Sequence, residues 1–242
     1  MAVVAELLRS HMPADQSDWL DLAQTLGQGK LRERAARMDE ENRFPFENYD
    51  DLRQSGLLGL TVPKEFGGGG VDSVTYVGVL TEIAQGCAST GLTFNMHCAI
   101  IDFLTQIASP DQKKKYFNEV VNDGAVLASI TSEPASSFRD VFRVKTQIVQ
   151  DDDGYRLNGT KAWCSLSTAA RYYFTWSRLK HSETLADGLL NVMVPSDRPG
   201  IEIMDDWDTL GMRATASNSI KFDNVRLEHD EVIGSPGVIL TK

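Results

Sequence analysis

Two short stretches of the sequence combine residue types that can bind a ligand. The first, SITSEPASSFRD at residues 129–140, ends an apolar run and breaks at Glu133 and Pro134. The second, GTKAWCS at residues 159–165, follows a hairpin-turn signal and places Trp163 beside small thiol and hydroxyl residues. Hydroxyl groups donate and accept hydrogen bonds, and an indole ring offers a large apolar face. Neither stretch identifies a reaction by itself.

Several of these side chains also have simpler interpretations. By composition alone, Trp163 would be a core aromatic residue and Ser132 a turn former. Cys164 has no neighbouring base to activate its thiol, so it is interpreted as a small packed residue. His97 lies on an apolar helical stripe and is interpreted as a core histidine with a satisfied hydrogen bond. The acidic run at residues 151–153 is a solvated turn, because its neighbours supply no metal-ligand pattern.

Composition limits the class of protein. The chain has 242 residues, which suggests one or two domains with a sizeable core. Its 24 Lys and Arg residues against 34 Asp and Glu residues give a net charge of -10. This balance argues against a nucleic-acid or anionic-membrane partner, since either would need a basic face. No window approaches the ~18 apolar residues that a membrane-spanning helix needs.

The first residues and the cysteines bear on the cellular compartment. The opening sequence MAVVAELLRSHMP has too short an apolar stretch for a signal peptide and includes Glu6. The three cysteines, Cys87, Cys98 and Cys164, are an odd number without metal-ligand spacing. A cytoplasmic protein with reduced thiols is therefore predicted.

The hydrophobic pattern before residue 123 predicts a helical domain. A first helix from Asp15 or Ser17 to about residue 42 contains two glycines, Gly27 and Gly29, that can bend it. Four more helices are predicted at residues 47–54, 73–85, 89–107 and 110–121. The glycine run at residues 67–70 predicts an irregular turn, because each glycine loses much backbone freedom on ordering.

Hydroxyl residues mark the predicted starts of three of these helices. Ser73 and Ser89 are the predicted N-caps of the third and fourth helices. Ser109 precedes Pro110 and Asp111, which combines a cap with a proline and an acid in the first turn of the fifth helix.

After residue 123 the pattern changes from helical spacing to alternation. Seven segments have the alternation of strands: VLASITS, RVKTQIVQ, YRLNG, RYYFTWSR, LLNVMVP, IEIM and NSIKFDN. The sequence Asp152-Asp153-Gly154 predicts a hairpin turn between two of them. A compact β domain is therefore predicted after residue 123, with no long helix inside residues 140–230.

Five segments, in this order, resemble the acyl-CoA dehydrogenase family of flavoproteins. They are LLGLTVPKEFGGGG, CASTGLTFNMHCAI, TSEPASS, NGTKAWCSLSTAARYYFTWSR and LGMRATASNSIKFDNVRLEHDEVIG. The resemblance implies an α+β multidomain fold, with a helical N-terminal domain at residues 1–123 and a small β-barrel-like, flavin-binding domain at residues 124–235. Residues 236–242 would begin the family's C-terminal four-helix domain, and the rest of that domain is expected to be absent.

The resemblance implies FAD as the cofactor and α,β-desaturation of an acyl thioester as the reaction. The positions that match the family's flavin segments are Ser129, Ile130, Thr131, Ser132, Trp163, Cys164 and Ser165. Ser132 is expected at the N1/O2 edge of the flavin and Ser165 near N5 and O4, where donors stabilise developing charge. Trp163 is expected to cover the flavin face away from the substrate.

One stretch departs from the family pattern. After the Glu-Pro pair the family has small residues ending in Gly-Ser-Asp, whereas this chain has Ser137, Phe138 and Arg139 before Asp140. The resemblance makes Ser137 and Phe138 substrate-binding positions, and the bulk of Phe138 conflicts with a standard CoA contact. Flavin-dependent monooxygenases of the same fold also vary here, and they are the alternative function.

The family's catalytic base and most of its oligomer contacts lie in the C-terminal domain. No catalytic residue is therefore assigned here, and Glu133 matches a structural position. Arg213 is expected to make structural or cofactor-proximal hydrogen bonds. The full-length protein is expected to act on acyl-CoA or another acyl thioester in fatty acid metabolism, as a homodimer or homotetramer. A truncated, non-catalytic binding or assembly module is a third interpretation.

Overall fold

The computed structural model describes residues 2–134 and 144–240, with side chains from residue 7 onward. Its contacts divide the chain into two compact units. The helical unit comprises residues 1–102, 116–124 and 208–215, and the sheet unit comprises residues 103–115, 125–207 and 216–242. A helical part followed by a mixed-sheet part is the architecture that the change of hydrophobic period predicts.

In the part of the chain that the structure describes, seven α-helices precede the first strand. They are α1 (Ala2–His11), α2 (Ser17–Leu26), α3 (Arg32–Glu40), α4 (Phe46–Gln54), α5 (Ser73–Gly86), α6 (Ala88–Ile107) and α7 (Pro110–Asn118). A π-helical turn, Gly27–Leu31, joins α2 to α3 and contains the non-helical residue Gly29. A Cβ at Gly27 would lie 2.2 Å from the carbonyl oxygen of Glu82, so glycine lets the chain approach α5 closely.

Two of the predicted helix caps are wrong. The N-cap of α5 is Asp72, whose carboxylate accepts the backbone N–H of Thr75 at 2.8 Å, and Ser73 is the first helical residue. Ser89 lies inside α6, which begins at Ala88. The predicted start of α7 is confirmed, since Ser109 Oγ accepts the Gln112 N–H at 3.3 Å.

His97 lies in the core of the helical unit, as predicted. Its side chain is fully buried, and Nε2 lies 2.9 Å from the carbonyl oxygen of Leu58. Burial lowers the pKa of His97 to about 4, and the hydrogen bond to Leu58 opposes this only in part. The imidazole is therefore neutral at neutral pH.

The buried histidine predicts a pH-dependent stability. The unfolded chain binds a proton at His97 near pH 6.5 and the folded chain only near pH 4, so unfolding is favoured as the pH falls. We expect the contribution of His97 to the free energy of unfolding to be complete above pH 6.5. Between pH 6.5 and pH 4 this contribution should fall by roughly 3 kcal/mol. Urea unfolding at a series of pH values measures this slope. A His97→Gln variant should lose it, and an unchanged slope in that variant would assign it to other groups.

The described residues of the sheet unit form eight strands. They are β1 (Leu127–Ile130), β2 (Gln147–Asp151), β3 (Gly154–Cys164), β4 (Tyr172–Leu179), β5 (Leu189–Pro195), β6 (Ile201–Ile203), β7 (Asn218–Leu227) and β8 (Val232–Ile233). Their order is β6-β7-β3-β2-β4-β5-β8, and β1 pairs with β4. The seven predicted strands are confirmed, and the short β8 was not predicted.

Two features of the sheet position the residues that follow. β4 pairs in parallel with β1 along its first half and with β2 at its end, while β3 lies antiparallel to β2 and β7. The predicted hairpin joins β2 to β3, with Asp151 opposite Gly154. Among the described residues between 144 and 230, the longest helix is the four-residue α8 (Leu185–Gly188).

Candidate functional site

The two stretches singled out in the sequence lie side by side in the sheet unit. The first leaves β1 at Ile130, whose carbonyl oxygen accepts the hydroxyl of Thr175 at 2.6 Å. The second forms the end of β3, where the Ala162 N–H donates to the carbonyl oxygen of Ser132 at 2.9 Å. This backbone hydrogen bond brings Ser132 and the segment around Trp163 to one place.

A buried ion pair fastens the two stretches together. Lys161 Nζ lies 2.9 Å from Glu133 Oε1, and the side chains are 0% and 4% exposed. Lys161 Nζ also donates to the carbonyl oxygen of Thr131 at 3.2 Å. The Lys161 ammonium therefore fixes both ends of the segment 131–133 against β3.

The Glu133 carboxylate is satisfied on its other side by backbone. Oε2 accepts the N–H of Lys145 at 2.8 Å, and Oε1 accepts that of Thr146 at 2.9 Å. Burial alone would raise the pKa of Glu133, but Lys161 and these two N–H groups outweigh it and hold the pKa below its usual value. A carboxylate that is ionised, buried and fully engaged is a poor general base, which agrees with the structural interpretation of Glu133.

Trp163 is exposed and not part of the core. Its side chain is 63% exposed, and its backbone has φ +61°. The pairing of β3 with β7 shifts register between Lys161 and Cys164, so Trp163 sits at an irregularity of the sheet. A left-handed φ is uncommon for a bulky residue, and such strain concentrates at functional sites. The composition-based interpretation of Trp163 as a core aromatic is therefore wrong.

The residues after Trp163 return to the interior. Cys164 is fully buried, and burial raises the pKa of its thiol, so it is unreactive. Ser165 is 8% exposed, and its Oγ lies 2.8 Å from Oγ of Ser217, in the segment before β7. Leu166 and Ala216 also have positive φ values, +71° and +45°. Three strained non-glycine residues thus flank this hydroxyl pair.

The remaining predicted flavin residues differ in exposure. Ser129, Thr131 and Ser132 are half-buried, whereas Ile130 is 1% exposed. Ile130 and Cys164 direct their side chains into the core, so only their backbone atoms are available to a ligand. The predicted substrate-binding residues Ser137 and Phe138 lie outside the described residues.

Sequence reasoning missed two members of this site. Lys161 lies in the NGTKAW segment, between the glycine and the tryptophan, and was given no role. Ser217 lies in the segment that follows Arg213 and was also unassigned. Arg213 itself belongs to the helical unit. Its Nε donates to the backbone carbonyl oxygen of Asp39 at 3.0 Å, and its backbone N–H donates to the Asp39 carboxylate at 3.1 Å. These contacts favour the structural role over a cofactor-proximal one.

The described residues contain no group of three or more His, Cys, Asp or Glu side chains able to hold a metal ion. No helix in the described part of the chain is long and apolar enough to cross a membrane. The candidate site is thus an exposed indole with hydroxyl groups and backbone beside it, at the C-terminal end of the interior strand β3 of a mixed sheet. This is an α+β protein, and its candidate ligand site lies on the sheet unit.

Family models identify the chain. The N-terminal domain of acyl-CoA dehydrogenase matches residues 13–123, and the middle domain of the same family matches residues 128–225. The chain belongs to the acyl-CoA dehydrogenase family, and the two matches together cover most of its length.

Curated relatives include two kinds of enzyme. Dibenzothiophene monooxygenase from Rhodococcus erythropolis is 32% identical over 211 residues, which are 87% of this chain and 50% of the relative. The mitochondrial short-chain specific acyl-CoA dehydrogenase from Rattus norvegicus is 29% identical over 205 residues, or 84% of this chain and 49% of the relative. The chain thus spans about half the length of these relatives.

Solved structures show the same fold. TdsC from Paenibacillus sp. A11-2, in a complex with FMN and indole, is 31% identical, with a TM-score of 0.84 over 93% of this chain and 55% of that one. Butyryl-CoA dehydrogenase from Megasphaera elsdenii is 23% identical, with a TM-score of 0.86 over 94% of this chain and 60% of that one. The second likeness supports the fold alone.

Proposed function

We propose that this chain is the flavin-binding part of an oxidoreductase. The observation that carries the proposal is the exposed, left-handed Trp163 at the end of β3, beside Ser132 and the Ser165–Ser217 hydroxyl pair. A soluble domain normally buries most of so large an aromatic side chain, and one held outward by a strained backbone is suited to a flat ligand.

The residues fit an isoalloxazine ring. Its faces are apolar and its edges carry hydrogen-bond acceptors and donors, so an indole suits a face and hydroxyl groups suit an edge. When bound, a flavin supplies the redox chemistry, and the protein orients and tunes it. Trp163 would exclude water from one face, while Ser165 and Ser132 would donate hydrogen bonds to the edge. Their hydrogen bonds to Ser217 and Ala162 hold them in place before the flavin arrives.

The nucleotide part of the flavin is less strongly indicated. The resemblance implies FAD, and structures of TdsC contain FMN. Both cofactors carry the same isoalloxazine ring, so the described residues suit either one.

Oxygenation of an apolar aromatic compound is the reaction we favour. Dibenzothiophene monooxygenases are 32% identical to this chain, and TdsC, which is also a dibenzothiophene monooxygenase, is 31% identical. The sequence departure at Ser137, Phe138 and Arg139 supports the same choice, because it replaces the small residues of the dehydrogenase pattern. One atom of oxygen would enter the substrate, the other would leave as water, and reduced flavin would supply two electrons.

Desaturation of an acyl thioester is the second candidate. The order of the five sequence segments favours it, as does the 29% identity to short-chain specific acyl-CoA dehydrogenase. That reaction needs a carboxylate base, and within the site described here Glu133 is already engaged by Lys161 and backbone. Assembly into a dimer or tetramer, the electron acceptor and a cytoplasmic location stay predictions.

Flavin titration and two assays of the purified protein test these proposals. FMN and FAD are added separately, and binding is followed by flavin fluorescence and equilibrium dialysis. Reduced flavin, oxygen and either dibenzothiophene or indole are then combined, and mass spectrometry looks for a product with an added oxygen atom. In a parallel anaerobic assay, butyryl-CoA is added to oxidised flavin and the visible flavin absorbance is followed.

The outcomes separate the candidates. An oxygenated product without anaerobic bleaching supports the monooxygenase. Bleaching by butyryl-CoA without an oxygenated product overturns it in favour of the dehydrogenase. Absence of binding for both flavins overturns the cofactor proposal itself.

A further inference from the structure

The helical unit contains a pocket, and its lining residues are not used in the flavin proposal. Its volume is about 140 Å³. It is lined by Trp19, Arg53, Gly56, Leu58, Gly59, Gly67, Gly68, Gly69, Val120 and Val121. Its walls are mostly apolar, and its mouth lies between the exposed residues Arg53, Gly56 and Gly67.

The floor of the pocket is bare glycine backbone. The carbonyl oxygen of Gly59 accepts the N–H groups of Val62 and Gly69, and the N–H of Gly67 donates to Lys64. Since these polar groups are already paired, this part of the floor is weakly polar. A Cβ at Gly59 would lie 3.3 Å from Val121 Cγ2, so a side chain there would narrow the pocket.

Trp19 and Val121 both lie against this floor. The Trp19 ring lies 3.2 Å from the position of a Cβ at Gly69, and Val121 lies over Gly59 and Gly67. Val120 and Val121 belong to a π-helical turn, Glu119–Asp123, that follows α7. π-helical turns are rare in proteins. Those that do occur are often found at functional sites.

The positively charged side chain of Arg53 lies at the mouth of the pocket. The stem of Arg53 crosses Gly124, where a Cβ would lie 2.1 Å from Cδ, and its guanidinium lies 3.7 Å from the Asp50 carboxylate. The Arg53 side chain is 50% exposed. A guanidinium at the rim of an apolar pocket can lie over the face of an aromatic ligand and attract it.

We propose that this pocket binds a small aromatic molecule of about one ring. The size argument is direct, since an apolar cavity of ~150 Å³ in another protein binds benzene. The indole wall and the Arg53 guanidinium select an aromatic ring over a saturated ring of similar size. The site belongs to the helical unit, and none of its lining residues is used in the proposed flavin site.

Benzene and cyclohexane form a matched pair of probes. Each is added to the purified protein, and binding is measured by saturation-transfer NMR and by the thermal midpoint of the protein. At a benzene concentration ten times its Kd, we expect the midpoint to rise by about 3–6 °C. Cyclohexane should bind at least several-fold more weakly.

Variants locate the binding. Val121→Phe fills the pocket and should abolish benzene binding, and the milder Val121→Leu should reduce it if the larger residue prevents folding. Val149→Phe is the matched control, because Val149 lies exposed on β2 of the sheet unit. Arg53→Met keeps the stem and should remove most of the preference for benzene over cyclohexane.

Benzene binding that is lost in Val121→Phe or Val121→Leu, kept in Val149→Phe and selective over cyclohexane supports the site. Equal binding by the wild type and all variants, or no binding by the wild type, overturns it. Flavin binding is measured in the same samples and should be unchanged in Val121→Phe. A failure of the pocket proposal can therefore be distinguished from a failure of the flavin proposal.

Discussion

Replacing Lys161 with methionine is expected to destabilise the sheet unit by about 3–5 kcal/mol. Methionine keeps most of the length of the side chain but removes the ammonium group. Glu133, which is 4% exposed, would then be a buried carboxylate without its cation. The carbonyl oxygen of Thr131 would lose its hydrogen bond from Lys161 as well. Urea unfolding followed by circular dichroism measures the loss.

Two further variants separate the charge effect from general sensitivity. Lys161→Met combined with Glu133→Gln leaves no uncompensated charge, so we expect it to be more stable than Lys161→Met alone. Lys221→Met removes a lysine on β7 that is 49% exposed and lies 3.8 Å from Glu202, and it should change stability by less than ~0.5 kcal/mol. Equal losses in Lys161→Met and Lys221→Met would contradict the role of the buried pair.

The same substitution should weaken flavin binding. The segment 131–133 is held against β3 by Lys161 at both Thr131 and Glu133, and by the hydrogen bond from Ala162 to Ser132. Without the ammonium, the segment would keep the hydrogen bond from Ala162 to Ser132 but lose the hydrogen bonds from Lys161 to Thr131 and Glu133, which flank Ser132. The segment would be less ordered before the ligand binds, so part of the binding free energy would be used to order it. Flavin titration at a temperature where the variant is folded measures this effect.

Replacing Trp163 with alanine is expected to weaken flavin binding by about 5- to 150-fold while leaving stability almost unchanged. The affinity estimate follows from the ~1–3 kcal/mol that stacking of a nucleic-acid base on an aromatic side chain contributes. The stability estimate follows from exposure, since the side chain is 63% exposed and little packing would be lost. A left-handed backbone at φ +61° is unfavourable for both tryptophan and alanine, so the substitution changes the backbone strain little.

A graded series gives this prediction its control. Trp163→Phe keeps an aromatic face and should bind flavin with an affinity between those of the wild type and Trp163→Ala. Fluorescence titration gives the affinities, and the thermal midpoint of each free protein gives the stabilities. Wild-type affinity in Trp163→Ala would remove Trp163 from the flavin site. A large fall in its thermal midpoint would show that the indole packs against the protein.

The sequence by itself determined the architecture. The change from helical to alternating periodicity near residue 123 reflects two different ways of burying apolar side chains, and it follows from local spacing. The hairpin at Asp152-Asp153-Gly154 and the start of α7 at Ser109 are local in the same sense, because a few neighbouring residues decide them. The buried state of His97 followed from its place on an apolar stripe. The five ordered segments also pointed to the correct family.

Local signals were weaker where two neighbouring residues could serve equally well. Ser73 and Asp72 are both good caps, and the chain uses Asp72 because its carboxylate meets the N–H of Thr75. Likewise, α6 begins one residue before Ser89. Choices of this kind depend on the entry angle of the chain, which packing sets.

The tertiary structure decided the site. Composition alone favours a buried tryptophan, whereas Trp163 is exposed at the point where the pairing of β3 with β7 shifts register. Ser165 meets Ser217 across 52 residues of sequence, and Lys161 meets Glu133 across 28. Hydrogen bonds and ion pairs depend on positions in space, which for distant residues arise only from the pairing of the strands. The sequence therefore named the residue types, and the fold determined which of them meet.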